Sequence, residues 1–260
     1  MVNPLFRRLA LLTGSEAALA LEKSRVIVFG LGGVGSWCAE ALVRSGIGNI
    51  SLVDSDRVSA SNVNRQAQAT SKNIGLEKAG ELEKRLLEIN PSCKIRSFPR
   101  VFSRETAELF DISTADFVID AIDTLTHKLD LIETAISPCR ILFSSMGMAQ
   151  KVDPTLIRTA DIWETSGCPL ARLVRQGLKK RNFSGHFTAV YSPERLPNMG
   201  DLSTEDEGSG DESPEKSPGK RPLGSFVGVT AAAGLVLASL VVREICARTL
   251  SGQDPGRRRE

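Results

Sequence analysis

The sequence predicts an α/β protein built on a Rossmann-like, doubly wound and mostly parallel sheet, with an additional smaller C-terminal lobe. Apolar runs of strand length alternate with amphipathic helical segments between residues 25 and 145, and this alternation favours a parallel sheet with helices on both faces. A glycine-rich loop, GLGGVG at 30–35, follows the first apolar run. The chain has 260 residues, enough to bury a substantial core.

Hydrophobic periodicity places the individual elements. Residues 4–23 are predicted to form one amphipathic helix, with Leu5, Leu9, Leu12 and Leu19 roughly on one stripe. Strands are then predicted at 25–29, 49–54, 94–98, 116–122 and 140–145, and helices at 35–45, 76–89 and 125–136. Further along, two short strands at 155–158 and 187–191 flank a basic helix at 169–181.

The composition changes along the chain suggest six segments. They are an N-terminal helical segment (1–24), a nucleotide-binding core (25–150), a lobe with the basic helix (151–192), an acidic loop (193–222), a buried C-terminal helix (223–250) and a basic tail (251–260). The loop is rich in Pro, Gly, Ser and acidic residues, so we expect it to be flexible. Because 201–217 carries seven acids against one lysine, about +8 of formal charge remains on the rest of the chain, which favours a polyanionic partner.

Cysteine and histidine usage excludes several classes of site. The five cysteines are odd in number and form no C-x-x-C pair, which argues against a disulfide framework and a zinc site. They are Cys38, Cys93, Cys139, Cys168 and Cys246. Only two histidines are present, so a histidine-rich metal site is also excluded. The N-terminus lacks the apolar core of a secretory signal, and we expect a cytoplasmic protein.

One apolar stretch, residues 223–242, runs for twenty residues without a charge and reaches the length of a membrane span. Glycine, serine and threonine interrupt it, and a buried helix that closes the sheet would have the same composition. We therefore expect no membrane association, with a membrane-associated helix at 223–242 as the alternative.

The glycine loop predicts a nucleotide site. Gly30 would permit a tight turn, Gly32 and Gly33 would let the main chain approach a phosphate, and Gly35 would allow close helix packing. Asp54 lies nineteen residues after Gly35, where a carboxylate can accept hydrogen bonds from ribose hydroxyls. This pattern alone also fits an NAD-dependent oxidoreductase.

The polar segment that follows the second strand favours ATP. It carries Asn62, Arg65 and Gln66, and Lys78 follows on the next helix. An enzyme that attacks the α-phosphate of ATP needs such donors, because negative charge grows on the phosphate oxygens and on the departing pyrophosphate. Taken singly, Arg65 and Lys78 could also be a solvated pair on the surface.

Asp123 directly follows the fourth predicted strand, at the edge of the sheet where the glycine loop lies. A carboxylate at this place could hold Mg²⁺ on the triphosphate. The alternative is that Asp123 caps the helix that begins at Leu125. The joint arrangement of the cations and this carboxylate favours the nucleotide interpretation.

Five motifs in this order, GLGGVGS, VDSD, SNVNRQ, GLEKA and DAID, resemble the ATP-binding core of the E1-like activating enzymes, the ThiF/MoeB superfamily. The resemblance implies a Rossmann-like homodimer that uses ATP and Mg²⁺ to adenylate a carboxylate. It also implies an N-terminal arginine that reaches into the partner's site, and FRRLALLTG points to Arg8, with Arg7 as the alternative. The residues that would contact ATP or its Mg²⁺ are Asp54, Asn62, Arg65, Lys78 and Asp123.

Four further segments resemble the tRNA threonylcarbamoyladenosine dehydratase branch: SSMGMAQKVDPT, ADIWETSGCPLARLVRQGLKKR, AVYSPE and LGSFVGVTAAAGLVLAS. This resemblance implies that a threonine carboxylate on a modified adenosine next to the tRNA anticodon is adenylated and cyclised with loss of water. Relatives that activate sulfur-carrier or ubiquitin-like proteins usually carry two C-x-x-C zinc pairs, which this chain lacks, so no zinc is expected. Activation of a carrier protein stays the first alternative, and a sulfur-transfer partner is possible. Two features depart from the branch: Met148-Ala149-Gln150 replaces a glycine-containing turn, and the insert at 201–217 is unusually acidic.

The segment 151–192 is expected to face the tRNA. Its helix carries five basic residues, which could contact phosphates without reading the RNA sequence, or could form a solvated face. They are Arg172, Arg175, Lys179, Lys180 and Arg181. Cys168 precedes this helix, where the helix dipole favours a thiolate, so it is a candidate for covalent chemistry or a small packed residue. Arginines at 257–259 end the chain.

Overall fold

The computed structural model describes residues 2–136, 141–196 and 223–251. The acidic insert at 201–217, the tail arginines at 257–259 and Cys139 lie outside the described residues.

A seven-stranded sheet forms the centre of the molecule. Its strands are β1 (Arg25–Phe29), β2 (Asn49–Val53), β3 (Lys94–Phe98), β4 (Phe117–Asp120), β5 (Ile141–Ser145), β6 (Arg158–Asp161) and β7 (Thr188–Tyr191). They lie in the order β3-β2-β1-β4-β5-β7-β6, and every neighbouring pair is parallel except β6–β7. The predicted fold class is confirmed.

The described residues form seven α-helices. They are α1 (Arg7–Thr13), α2 (Ser15–Lys23), α3 (Gly35–Arg44), α4 (Lys78–Ile89), α5 (Leu125–Ala135), α6 (Pro169–Lys180) and α7 (Val227–Leu250). Successive side chains of a strand point to opposite faces, and β1 shows this directly. Val28 packs with α3, α4 and α7, whereas Ile27 and Phe29 pack with α5 and α6.

Strand order reverses between β1 and β4, which lie side by side at the centre of the sheet. In open α/β sheets the crevice outside the carboxyl ends of the strands at such a reversal is the usual ligand site. The glycine loop after β1 and the DAID segment at the end of β4 both open onto this crevice.

Residues 151–192 extend the sheet of the core. β7 pairs in parallel with β5, and β6 pairs antiparallel with β7 at the edge. The predicted smaller lobe is thus continuous with the sheet, and the helix α6 packs on the same face as α5.

Two predictions of secondary structure are wrong. The helix predicted at 4–23 breaks at Gly14, whose φ of +87° leaves helical geometry, and its expected apolar stripe is not buried, because Leu5 and Leu12 are 61% and 83% exposed. The strand predicted at 155–158 is instead the 3-10 turn Pro154–Leu156, and the strand begins at Arg158. The Asp153 carboxylate causes this shift by accepting a hydrogen bond from the Thr155 amide at 2.8 Å.

The long helix α7 buries one face. Val229, Ala233, Leu237, Val241 and Ile245, spaced four residues apart, are buried. A Cβ added to Gly234 of α7 would lie 2.4 Å from the Val34 carbonyl oxygen, so α7 packs backbone to backbone against the start of α3. By length and composition α7 could cross a membrane, but the core helix of a soluble protein meets the same criterion.

Glu40 joins α3 to α4. Its buried carboxylate accepts hydrogen bonds from Arg85 Nε at 2.6 Å and Arg44 Nε at 2.9 Å. Burial alone would raise the pKa of Glu40, but the hydrogen bonds and charges of Arg85 and Arg44 outweigh it and the pKa is lowered. The ion pairs therefore stabilise the fold above the ordinary titration range of a glutamate, and this stability is lost as the pH falls through the lowered pKa.

We expect Glu40→Gln to lower the free energy of unfolding by about 1–3 kcal/mol at pH 7, because two charge-assisted hydrogen bonds weaken. As the pH falls below the ordinary titration range of a glutamate, the carboxyl is protonated first in the unfolded wild type, whereas the Gln side chain does not titrate, so the difference should shrink. Urea denaturation at pH 7 and pH 3.5 measures both values. Glu244→Gln, which removes the partner of Arg248 within α7, is the control, with an expected change of about 0.5 kcal/mol or less. An equal loss at both pH values for Glu40→Gln would contradict this account.

Candidate active site

The glycine loop is closed by two backbone contacts that leave no room for a side chain. Gly30 has a φ of +84°, and a Cβ there would lie 2.6 Å from the Ala121 carbonyl oxygen. A Cβ on Gly35, at the start of α3, would lie 1.8 Å from the Gly30 carbonyl oxygen. The tight turn and the close helix packing thus lie at the two predicted positions, and they place the N-terminus of α3 at the crevice.

The two middle glycines differ from each other. No atom lies within 4 Å of a Cβ added to Gly32, so the main chain there is open to an incoming phosphate. At Gly33 the same position is filled by Thr230 of α7 and by Arg65 Cγ, at 3.1 and 3.2 Å. The packing of Thr230 and the Arg65 stem therefore leaves little room for a side chain at Gly33, and the approach of its main chain to a phosphate stays a prediction.

Asp54 fastens the end of β2 to the glycine loop. Its Oδ2 accepts a hydrogen bond from the Leu31 amide at 2.6 Å, and its Oδ1 accepts one from the Asp56 amide at 2.8 Å. Burial raises the pKa of Asp54, and the positive charge of Lys78 partly opposes this rise. The carboxylate therefore lies next to both the phosphate loop and one of the predicted cations.

Lys78 is buried at the first position of α4, which rules out the solvated alternative for this residue. Its Nζ donates to Asp56 Oδ2 at 2.7 Å. Asn62, another residue of the predicted cluster, is also buried. Its side-chain oxygen accepts a hydrogen bond from the Ser59 amide at 3.2 Å and closes the 3-10 turn Ala60–Asn62.

Arg65 is half-buried, and its guanidinium is held by its own loop. Nη1 donates to the Ser61 carbonyl at 2.6 Å and to Asn64 Oδ1 at 3.0 Å. Asn64 in turn donates to the Ser225 carbonyl at 3.0 Å, which ties this loop to the segment before α7. Gln66, the last residue of the predicted cluster, is buried.

Asp123 is exposed in the loop between β4 and α5. The residue at the N-cap of α5 is Thr124, and no side chain makes a cap hydrogen bond there. The helix-cap alternative for Asp123 is therefore wrong. Its carboxylate is available to a ligand at the crevice, and a carboxylate is a suitable oxygen donor for Mg²⁺.

The structure adds residues that sequence reasoning missed. Gln68 Nε2 donates to the Leu31 carbonyl at 2.9 Å and so supports the glycine loop from below. Asp120 and Lys128 form a fully buried ion pair beneath the Asp123 loop, with Nζ 2.8 Å from Oδ2. A lysine among the apolar positions of the helix after DAID was the one sign of this pair in the sequence.

Cys168 is buried at the N-cap of α6. Close to it, the buried Lys151 donates to the Glu194 carbonyl at 2.7 Å. Burial lowers the pKa of Lys151, although the neighbouring side chains of Cys168 and Glu194 oppose this shift. A thiol so little exposed is not open to a macromolecular substrate, which favours the packed-residue interpretation of Cys168.

The other described cysteines show no sign of reactivity. Cys38 and Cys93 are buried, and burial raises the pKa of both thiols, that of Cys93 to about 11. Within the described ranges, no group of three or more His, Cys, Asp or Glu side chains could hold a metal ion.

The five basic residues near α6 do not share one free surface. Arg172, Lys179 and Lys180 are exposed. Arg175 donates to Thr165 Oγ1, and Arg181 is half-buried between two carboxylates of α5, 2.7 Å from Asp130 and 2.8 Å from Glu133. The packing of α6 against α5 thus neutralises Arg181, and the surface open to phosphates narrows to the three exposed residues.

Arg8 lies exposed on α1, away from the interior of the chain. The surface around it is unusually apolar, since Leu11 and Leu12 are both more than three-quarters exposed. The neighbouring Arg7 lines a cavity of about 370 Å³ between the N-terminal segment and α1. Both candidate arginines are therefore available to a second copy of the chain.

The ThiF family model matches residues 6–258 of this chain. The chain belongs to the ThiF family. The resemblance predicted from the five motifs is thereby confirmed.

The chain is similar to tRNA threonylcarbamoyladenosine dehydratases of other organisms. The tRNA threonylcarbamoyladenosine dehydratase of Bacillus subtilis (strain 168) is 37% identical over 240 residues, covering 92% of this chain and 94% of that protein. The structure of E. coli tRNA N6-threonylcarbamoyladenosine dehydratase, TcdA, in complex with ATP matches with a TM-score of 0.82 and 30% identity, covering 96% of this chain and 99% of that one. TcdA in complex with AMP matches with a TM-score of 0.81, the same identity and the same coverage.

We expect Gly32→Ala and Gly35→Ala to fail in different ways. Gly32→Ala should keep the melting temperature within about 2 °C but weaken ATP binding at least about tenfold, because the methyl group enters the space open to phosphate. Gly35→Ala should lower the melting temperature by more than about 8 °C, because the methyl group collides with backbone. Thermal unfolding and ATP titration separate the two effects.

Gly80→Ala is the matched control, because a Cβ on this α4 residue has no neighbour within 4 Å and lies outside the crevice. It should leave ATP affinity unchanged. If Gly32→Ala binds ATP like Gly80→Ala, the phosphate does not lie at Gly32.

Proposed function

We propose that the chain is an ATP-dependent tRNA threonylcarbamoyladenosine dehydratase. It adenylates the threonine carboxylate of the modified adenosine at position 37 and cyclises it with loss of water, releasing AMP and pyrophosphate. The observation that supports this proposal is the contact of the glycine loop with Asp54 and Arg65, beside the buried Lys78, in a chain that matches a dehydratase of this name over nearly its whole length.

In this proposal the loop at 30–35 and the N-terminus of α3 receive the phosphates. Asp54 accepts from the ribose, while Asn62, Arg65, Gln66 and Lys78 surround the triphosphate. Asp123 holds Mg²⁺, which when bound neutralises part of the triphosphate charge.

The cations act on charge that develops during the reaction. As a carboxylate oxygen attacks the α-phosphorus and the bond to pyrophosphate breaks, negative charge grows on the phosphate oxygens. Lys78 already lies buried beside Asp54, and Arg65 exchanges the Ser61 carbonyl for a phosphate oxygen. A positive charge fixed before the reaction stabilises the transition state without reorganisation.

The second half of the reaction needs no nucleophile from the protein. Once the carboxyl is an acyl-adenylate, the carbamoyl group on the same side arm closes onto the carbonyl carbon, and AMP leaves with one carboxylate oxygen. A nucleophile within the same molecule has a large proximity advantage. The burial of Cys168 agrees with a route that bypasses a covalent enzyme intermediate.

The tRNA is proposed to lie over α6, where Arg172, Lys179 and Lys180 are exposed. Three phosphate contacts would orient the RNA without reading its bases. We further propose a homodimer in which Arg8 of one protomer completes the other's site, a cytoplasmic location, and a sulfur-transfer protein as a second partner to test.

We expect Arg65→Ala and Asp123→Ala each to reduce AMP formation at least about a hundredfold, because each removes charge at the triphosphate. The assay follows AMP and the cyclised nucleoside with tRNA, ATP and Mg²⁺. Arg57→Ala is the control, since Arg57 is an exposed arginine of the same loop that pairs with Glu77, and it should keep at least about a third of the rate.

Other outcomes of this assay decide against the proposal. Pyrophosphate exchange that is stimulated by a carrier protein and not by tRNA would assign the activation of a carrier. Binding of NAD with no response to ATP would assign an oxidoreductase. Full turnover after both substitutions would show that the crevice is not the catalytic site.

The combined variant Arg172→Ala, Lys179→Ala, Lys180→Ala should weaken tRNA binding at least about tenfold at 0.1 M salt and reduce its salt dependence, because phosphate contacts release counterions. ATP affinity should not change. The control is Lys23→Ala, Lys72→Ala, Lys94→Ala, which removes three exposed lysines elsewhere. Equal tRNA binding by the two variants would make the α6 surface an ordinary solvated face.

A further inference from the structure

A buried ion pair lies directly beneath the loop that carries Asp123. Asp120 ends β4 and Lys128 lies on α5, and both side chains are 0% exposed. Nζ of Lys128 is 2.8 Å from Asp120 Oδ2. Neither residue can touch a ligand in the crevice, so any effect on the reaction must pass through the residues between them.

The pair forms hydrogen bonds with the backbone of Ile122, the residue before Asp123. Lys128 Nζ donates to the Ile122 carbonyl at 2.8 Å, and the Ile122 amide donates to Asp120 Oδ1 at 3.1 Å. Both polar groups of Ile122 are thereby engaged, and its carbonyl belongs to the peptide bond that leads into Asp123. These two hydrogen bonds fix the orientation of the peptide bond that precedes Asp123.

The neighbouring strand β5 completes this arrangement. Ser144 of β5 donates its hydroxyl to Asp120 Oδ2 at 2.6 Å, which fixes the carboxylate that receives Lys128. Each of the two Asp120 oxygens thus has a partner, and two donors of the Lys128 ammonium are used inside the protein. The network is satisfied and has few ways to rearrange.

Stability alone does not account for such a pair. Removing two charges from water is costly, and apolar residues of similar volume often stabilise a core as well or better. Met146 and Leu129 show that apolar side chains fill neighbouring positions of the same core. What an apolar pair could not do is hold the Ile122 carbonyl.

We propose that Lys128 is a positioning residue that directs the Asp123 carboxylate toward the Mg²⁺ of the bound nucleotide. This inference rests on the proposed function, because it assigns Lys128 a role in the same ATP site. Lys128 acts through the main chain of Ile122, with Asp120 as its counterion and Ser144 as the support of that counterion.

The test is a mutant cycle on the affinity for ATP in the presence of Mg²⁺, measured by calorimetry without tRNA. Lys128→Met alone leaves the Asp120 charge buried and can unfold the chain, so the variant used is Asp120→Asn with Lys128→Met. It is electrically neutral and nearly keeps the volume, and it removes the Lys128 ammonium that donates to the Ile122 carbonyl. The cycle compares wild type, this double variant, Asp123→Ala and the triple variant.

The double variant is expected to melt within a few degrees of wild type and to bind ATP with Mg²⁺ at least about tenfold more weakly. In the Asp123→Ala background the same two changes should have less than about a twofold effect, because Lys128 acts through Asp123. Lys84→Met, which removes an exposed lysine paired with Glu81, should bind like wild type.

Two results would overturn the inference. One is wild-type affinity in the double variant. The other is a triple variant whose ATP affinity falls by the product of the losses in the double variant and in Asp123→Ala. Such a result would mean that the pair acts independently of Asp123. If wild type itself does not bind ATP, the proposed function fails first, and that failure is distinct from both.

Discussion

The close contact between the end of β1 and the start of α3 is the constraint on which the rest of the site depends. Gly35 packs on the Gly30 carbonyl at a distance that admits no side chain, and the carbonyl of Ala121, directly after β4, leaves no room for one at Gly30. Because these backbones meet directly, the N-terminus of α3 lies at the crevice, where the positive end of the helix dipole favours a phosphate. The end of β2 joins the same loop through Asp54 and Leu31. The nucleotide crevice is therefore a junction of three adjacent strands and one helix.

The charges around this junction are held by the protein itself. Lys78 is paired with Asp56, and Arg65 is hydrogen-bonded to Ser61 and Asn64. A cation that is partly buried in the ligand-free protein lowers the stability of the fold. Sites that stabilise charge developing in a transition state often contain such cations. We infer that the same arrangement explains why a dinucleotide fold serves ATP here. The glycine loop supplies a general phosphate site, and the cations select a ligand on which additional negative charge develops.

The sequence predicted what depends on local patterns. Apolar periodicity located the strands β1 to β5 within a few residues, and glycine spacing identified the turn at Gly30 and the packing position at Gly35. Sequence patterns failed where contacts between residues far apart in the chain determine the local structure or the environment of a side chain. The break at Gly14, the neutralisation of Arg181 by α5, the packing of Thr230 on Gly33 and the ion pair of Asp120 with Lys128 all depend on tertiary neighbours. Cationic residues are the hardest to interpret from sequence, because the sequence does not show whether a lysine or arginine is buried in an ion pair or exposed to solvent.

The central claim is that the carboxylate of the substrate attacks the α-phosphorus of ATP. The most direct measurement follows ¹⁸O from a tRNA whose threonylcarbamoyladenosine carboxylate is labelled, with ATP, Mg²⁺ and the full chain. The account predicts one labelled oxygen in AMP for each nucleoside cyclised from a doubly labelled carboxylate, and none in pyrophosphate. Label in inorganic phosphate with formation of ADP, or cyclisation with unlabelled AMP, would contradict it.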